Sequence, residues 1–519
     1  MNRPLRVMLI TPPATTMAEP YTFAPPYARN ALAFLAGWLR QFPGFEIRLL
    51  DAKFERLDFK QTLERFAEFE PDVVGLTAFT TEIKPAAYLA TCIKRFLPNA
   101  TTVVGGPHAT ALPKATLRQF PGFDVVVAGE GEITFQELCH AIREGVSFEE
   151  ILGLAYRDGS LIRQTPSRPR ILDQDSIPIP AWDMLPPASE YFVQTTRGCP
   201  FSCVFCMNHN GRVARKRSVD LVIQEIEKIL SIAKPGRIRF GDEIFTVDMP
   251  RTAEMCDAMI ERGMQRAFSW DCLTHARFVN YELFKKMKEA GCDRADIGVE
   301  TGDDSTLRSI GKGTTREMIF ASADAARRAG VKFGMLLIIG HPNETRQSIN
   351  NSIKMAIALN PDIPFVSTMQ PFPGTEISRL AAANEGGYRL TSCDWDDFNM
   401  RISNVLEFVN FSRREIFWLQ LMTIAKVFLY NHRYLDLAKF GFSYWRAGLA
   451  VLQRTINPNP SARERFPLRP ADYEEVLAGG EPFDPRELIQ AREEWADWQV
   501  SEVKRTRRDS PELMQLTSK

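Results

Sequence analysis

Short apolar runs alternate with amphipathic stretches along the first 145 residues. The runs at 5–11, 45–50, 72–77, 101–105 and 124–128 are rich in Val, Ile and Leu and have strand length. Strands separated by helix-length segments predict βα units, and five such units predict a small doubly wound α/β domain with a parallel, flavodoxin-like sheet. Ligands in such folds lie at the carboxyl ends of the strands. Here those ends read Thr11-Pro12-Pro13, Thr77-Ala78-Phe79-Thr80, Gly105-Gly106-Pro107-His108 and Gly129-Glu130-Gly131-Glu132.

The rhythm lapses from 146 to 189, where Ile177-Pro178-Ile179-Pro180-Ala181-Trp182 and Pro186-Pro187 predict a stiff, extended linker. A second βα series follows, with predicted strands at 191–195, 237–241, 268–271, 295–300, 332–339 and 365–370. Predicted helices lie between them at 219–232, 251–261 and 315–329. Six units fit a partial parallel barrel with its chemistry at the C-terminal strand ends. After about residue 400 the pattern turns helical. Phe417, Leu421, Ile424 and Phe428 share one face, aromatic residues continue through Tyr444 and Trp445, and 485–508 predicts a charged helix before a disordered tail. The aromatic face reads as core, with a substrate-cavity wall or a membrane-surface contact as the alternatives. The expected division is 1–145, the linker 146–189, the barrel 190–400 and a mainly helical region 401–519.

Lys plus Arg and Asp plus Glu both number 64, so no global field favours nucleic acid. No apolar run is long enough for a transmembrane segment, and the N-terminus lacks a signal-peptide pattern, so a cytoplasmic protein is expected. Nine cysteines are too few for a disulfide scaffold. Cys92, Cys139, Cys256, Cys272, Cys292 and Cys393 are scattered and read as small buried hydrophobes.

The other three cluster in Thr195-Thr196-Arg197-Gly198-Cys199-Pro200-Phe201-Ser202-Cys203-Val204-Phe205-Cys206-Met207-Asn208-His209, just after the first strand of the second series. Three thiolates spaced C-x3-C-x2-C can bind three irons of a four-iron, four-sulfur cluster and leave the fourth iron open to a ligand. A Cys3His zinc site completed by His209 is the alternative. The spacing, with Phe205 before the last cysteine, resembles the radical S-adenosylmethionine (SAM) superfamily. That resemblance implies a reductive 4Fe–4S site on Cys199, Cys203 and Cys206. The open iron would chelate SAM, and one electron would cleave it to a 5'-deoxyadenosyl radical. It further implies SAM contacts at Gly241-Asp242-Glu243, at Glu300, at Gly340, at Gln370 and at Arg277, the last through its guanidinium fork.

The segments Asp72 to Thr77 and Val103 to Thr110 resemble the cobalamin-binding domain that precedes many radical SAM barrels. The resemblance implies cobalamin contacts at Thr11, Pro12, Thr77, Phe79, Thr80, Gly105, Gly106, His108, Gly129 and Glu130. One departure stands out. The D-x-H-x-x-G loop of related cobalamin proteins is replaced by Thr11 to Pro20, with no histidine before His108, so no histidine lower ligand is expected.

The expected reaction is C-methylation of an unactivated carbon of a small molecule, with SAM as both radical source and methyl donor. The alternative keeps both cofactors but ends in cyclisation or oxidation, as in the anaerobic magnesium-protoporphyrin monomethyl ester cyclase branch. A non-catalytic cobalamin or zinc sensor is a third reading. The expected partners are a small-molecule substrate of hydrophobic character and a flavodoxin or ferredoxin as electron donor, under anaerobic conditions.

Overall fold

The computed structural model describes residues 3–13, 25–398, 405–442, 477 and 479–510 of the 519-residue chain. Its first sheet contains β1 (Leu5–Thr11), β2 (Phe45–Asp51), β3 (Val73–Thr77), β4 (Thr101–Gly105), β5 (Val125–Val127), β6 (Leu154–Asp158) and β7 (Leu161–Gln164). The order is β2-β1-β3-β4-β5-β6-β7, and the first five strands are parallel. This is the doubly wound order 2-1-3-4-5, in which connections cross over and place helices on both faces. Val7, Leu9, Val73, Val103 and Val125 fill one face and Met8, Ile10, Val74, Val104 and Val126 the other, which is why these runs are continuously apolar.

Residues 154–164 correct the expected linker. They form an antiparallel hairpin, turned at Gly159 (φ 58°), that extends this sheet. Leu154, Ala155 and Tyr156 are buried, but β7 is a largely exposed edge strand without an apolar run, so hydrophobic pattern could not mark it. The Pro-rich stretch beyond it is packed rather than free. Trp182 is buried and donates from Nε1 to Glu225 at 2.9 Å, and a Cβ on Gly37 would meet Ile179 O at 2.9 Å.

The second sheet contains β8 (Glu190–Val193), β11 (Arg237–Phe240), β12 (Ser269–Thr274), β13 (Cys292–Glu300), β14 (Lys332–Ile339) and β15 (Ile363–Thr368). All pairings are parallel in the order β8-β11-β12-β13-β14-β15, so the barrel is partial, with β8 and β15 at its two edges. Ile238, Phe240, Trp270, Ile297 and Met335 pack outward into the helical layer. Arg237 (2.7 Å) and Arg294 (3.2 Å) on neighbouring strands both donate to Asp271, a fixed ionic set where closed barrels carry aliphatic layers. The helices start where the chain supplies caps: Ser218, Asp248 and Thr315 each accept from a backbone N–H of the first turn.

The helix Arg413–Tyr430 buries Ile416, Gln420, Thr423, Ile424, Val427 and Phe428. The predicted face is therefore rotated, with Phe417 and Leu421 only half-buried. Gln420 explains the rotation: its Nε2 donates to Val366 O at 2.7 Å and caps the edge strand β15. A final helix spans Arg486–Asp509. Tyr444, Trp445, most of the loop Thr11 to Pro20 and the tail beyond 510 lie outside the described residues. Among the described residues no helix is long and apolar enough to cross a membrane.

Candidate active site

The three clustered cysteines sit on a loop whose neck is a two-residue antiparallel ladder, β9 (Thr196–Arg197) against β10 (Arg215–Lys216), with Arg197 opposite Arg215. Gly198 (φ 101°) lets the arms close, because a Cβ there would lie 2.2 Å from Val213 O. Within the loop Cys199 N donates to Gly211 O (3.0 Å), Cys206 N to Cys203 O (3.0 Å), and Asn208 Nδ2 to Cys199 O (2.7 Å). The thiols are close enough to repel one another as anions, and burial is the main cause that pushes Cys199 and Cys203 each up to about 12. Cys206 is open to water, and the surrounding protein raises its thiol too, burial being the main cause. His209, the alternative zinc ligand, is likewise open to water and held neutral by its surroundings. Among the described residues no three His, Cys, Asp or Glu side chains lie close enough to share one ion. Two open grooves, of about 500 and 490 Å³, lie on outer helices.

The strand ends correct several expectations. The Asp242 carboxylate is committed inside the fold: it is buried and accepts from Thr195 N (2.6 Å), Thr195 Oγ1 (2.6 Å) and Thr196 N (3.0 Å), which pins the entry to the loop. A strand-end position does not fix which way a carboxylate points. Glu243 is half-buried and accepts from Gly198 N (3.3 Å) and Asn210 Nδ2 (2.5 Å). A Cβ on Gly241 would overlap the Phe192 ring. Glu300, in a left-handed conformation (φ 62°), receives Lys312 Nζ at 2.6 Å. Lys312 is a buried cation whose field also reaches Cys203 and Cys199, and the sequence reading missed it. Phe205 is half-buried with its ring 6.3 Å from that of His341. Gly340 (φ 101°) donates to Glu344 Oε2 and accepts from the Tyr388 hydroxyl at 2.7 Å. Gln370 is buried beside Thr368 (3.3 Å), and Arg277 is exposed on the turn after β12.

The ligand edge of the first sheet is mixed in the same way. Thr11 is buried and donates to Asp51 Oδ1 at 2.5 Å, so its hydroxyl is committed inside the fold, and Pro12 is buried beside it. Thr77 and Gly105 are half-buried and Phe79 is exposed under the Arg29 guanidinium. Gly106 (φ 100°) brings backbone close: a Cβ would meet Ala78 O at 2.7 Å. His108 is buried, held neutral by burial to about 3, placed 3.3 Å from Thr80 Oγ1 and packed edge-on against Trp395. Gly129 (φ 91°) borders open space. Glu130, expected at the ligand, is committed to groups of the protein itself. It accepts from Ile171 N (2.9 Å) and pairs with Arg215 (2.7 Å) and Arg197 (3.5 Å), while Glu132 takes Arg197 at 2.6 Å.

The final helix holds the cysteine loop from the other side. Trp495 Nε1 donates to Met207 O (2.7 Å), Gln499 accepts from Arg212 Nε (3.0 Å), and Glu502 sits 3.3 Å from Arg170, whose guanidinium covers Trp498. Leu488 and Ala491 of the same helix join the core of the first sheet.

Residues 193–356 match the radical SAM superfamily and residues 22–139 the B12 binding domain. The chain is 32% identical over 424 residues to an uncharacterized methyltransferase of Pyrococcus horikoshii, covering 79% of this chain and 90% of that one. It is 30% identical over 362 residues to the anaerobic magnesium-protoporphyrin IX monomethyl ester cyclase of Cereibacter sphaeroides, covering 67% of this chain and 59% of the cyclase. In fold it is similar to OxsB, a cobalamin-dependent SAM radical enzyme solved with aqua-cobalamin and SAM (TM-score 0.68, 16% identity, 99% of this chain and 83% of that one). It is also similar to the methyltransferase TsrM of Kitasatospora setae (TM-score 0.64, 19% identity, 82% and 89%).

Proposed function

The chain belongs to the radical SAM enzymes that carry a B12-binding domain, and from that premise we propose that it methylates an unactivated carbon of a small molecule. The observation that carries this reading is the ion-paired junction of Glu130 with Arg197 and Arg215, which joins the ligand edge of one sheet to the neck of the cysteine loop on the other. A methyl donor site and a hydrogen-abstraction site must meet at one substrate, and a junction between the two domains supports that reading.

In this reading Cys199, Cys203 and Cys206 hold the 4Fe–4S cluster. Their proximity fits a metal-bound state, since metal displaces the thiol protons that an empty site retains. Gly129 leaves open space for a bulky ligand, while Gly106 lets the backbone pass close to Ala78. With its cofactors bound, the cluster would supply the electron for SAM cleavage and the corrinoid would supply methyl-transfer chemistry. The chain's own residues then have stated tasks. Lys312 presents a cation toward the cysteines and the carboxylate of Glu300. Glu243 and Asp242 hold the loop backbone. Arg277 remains the candidate partner of the SAM carboxylate, and Gly340 and Gln370 are candidate walls for the nucleoside. Flavodoxin or ferredoxin in the cytoplasm is the proposed electron donor.

The test uses anaerobically reconstituted protein with deuteromethyl SAM and a low-potential reductant. Methyl transfer yields S-adenosylhomocysteine alongside 5'-deoxyadenosine and a labelled product. A second reading, cyclisation or oxidation, is favoured by the 30% identity to the cyclase; 5'-deoxyadenosine formed without S-adenosylhomocysteine selects it.

A further inference from the structure

We propose that Glu130 is a positioning residue that ties occupancy of the cobalamin site to the shape of the cysteine loop; the inference rests on the cofactor assignment above. The loop has one neck, the Arg197–Arg215 ladder, and both arginines carry their charge into the same carboxylate. Arg215 also donates to Ile171 O and to Asn210 O, both at 2.7 Å, so its guanidinium bridges the first sheet's connector and the loop's returning arm. Arg197 is shared with Glu132, one helical step further on. The side chains of Glu130, Glu132, Arg197 and Arg215 are buried, where an ion pair is weakly screened and has few alternative partners. Moving Glu130 therefore moves the neck.

Glu130 is in turn connected to the ligand edge. Gly129 N donates to Thr110 Oγ1 at 3.0 Å, and Thr110 follows Gly105-Gly106-Pro107-His108-Ala109 directly, within the short helix that begins at Pro107. A corrinoid seated on that glycine edge bears on Thr110, through it on Gly129, and so on Glu130. The path is an unbroken series of bonded groups from the ligand edge to the residue two before Cys199.

The test reads the loop without turnover. In full-length, metal-free protein the alkylation rates of Cys199, Cys203 and Cys206 by iodoacetamide are followed by mass spectrometry, with and without hydroxocobalamin, whose binding is followed by its visible spectrum. Wild type is expected to show a several-fold change in these rates on binding. Glu130→Gln is expected to bind hydroxocobalamin within about threefold of wild type while its thiols no longer respond. Should Glu130→Gln be misfolded by circular dichroism, Thr110→Val, which leaves every ion pair in place, carries the test with the same expected loss. Thiols that respond equally in wild type and in a folded variant overturn the coupling, as do wild-type thiols that ignore bound cobalamin. Absence of any cobalamin binding removes the cofactor assignment and the coupling together, and the spectrum separates that outcome from the others.

Discussion

Lys312 Nζ lies 2.6 Å from Glu300 Oε1, with both residues buried, and the pair stands beside the cysteine loop. Lys312 is on the chain twelve positions after Glu300, in the Gly311-Lys312-Gly313 turn between two helices, and the φ of 62° at Glu300 turns its side chain to meet it. A buried charge left alone is costly, so each residue is fixed by the other.

Lys312→Met should therefore lower unfolding free energy by about 3–5 kcal/mol by stranding Glu300. Adding Glu300→Gln should restore most of that loss, since the remaining groups are uncharged. Urea unfolding of the metal-free single and double variants measures both. A double variant no more stable than the single one contradicts the pairing argument. SAM binding should be weakened in both, because the cation facing the thiols is gone.

Cys203→Ala should keep the native circular dichroism spectrum, bind less iron after reconstitution and lose 5'-deoxyadenosine formation. Cys203 is only half-buried and its backbone bond to Cys206 survives the change. Undiminished cleavage by the reconstituted variant would contradict the ligand assignment.

Asp242 gives a pH prediction. Burial raises its carboxyl from 3.8 to about 6, against the lowering influence of the Thr195 and Thr196 hydrogen bonds and of the Arg251 charge. Between these values the folded protein holds a proton that the unfolded chain has released, so stability falls as pH rises through the window and is level above it. The span corresponds to about 3 kcal/mol. Asp242→Asn should remove this contribution: the difference in unfolding free energy between pH 5 and pH 7.5 should shrink in the variant, and an unchanged difference rejects the assignment.

Trp495→Phe deletes one hydrogen bond, from Nε1 to Met207 O, while keeping an aromatic ring beside Arg170. A loss of about 1 kcal/mol is expected. Iron incorporation at limiting iron should also drop, because the residue after Cys206 is less firmly held. Wild-type loading in this variant would mean that the helix is not a support for the loop.

Most strands were legible because their apolar runs are buried on two faces, and the cysteine loop was legible because few chemistries need three thiols at that spacing. What stayed hidden was direction and distance. Thr11, Glu130 and Asp242 occupy strand ends where a ligand contact is expected, yet each points to Asp51, to two arginines or to two threonines. Lys312 carries no motif of its own. The hairpin at 154–164 has a polar edge strand that periodicity cannot see. The helix at 486–509 was visible as a charged helix, but nothing local says that Trp495 meets Met207, 288 positions earlier.

That separation sets an order on the making of the protein. During synthesis the three thiols emerge, and the first sheet can already offer Glu130 to the neck, long before the helix bearing Trp495, Gln499 and Glu502 exists. The nascent chain thus carries the loop with its outer flank unsupported until translation passes residue 502.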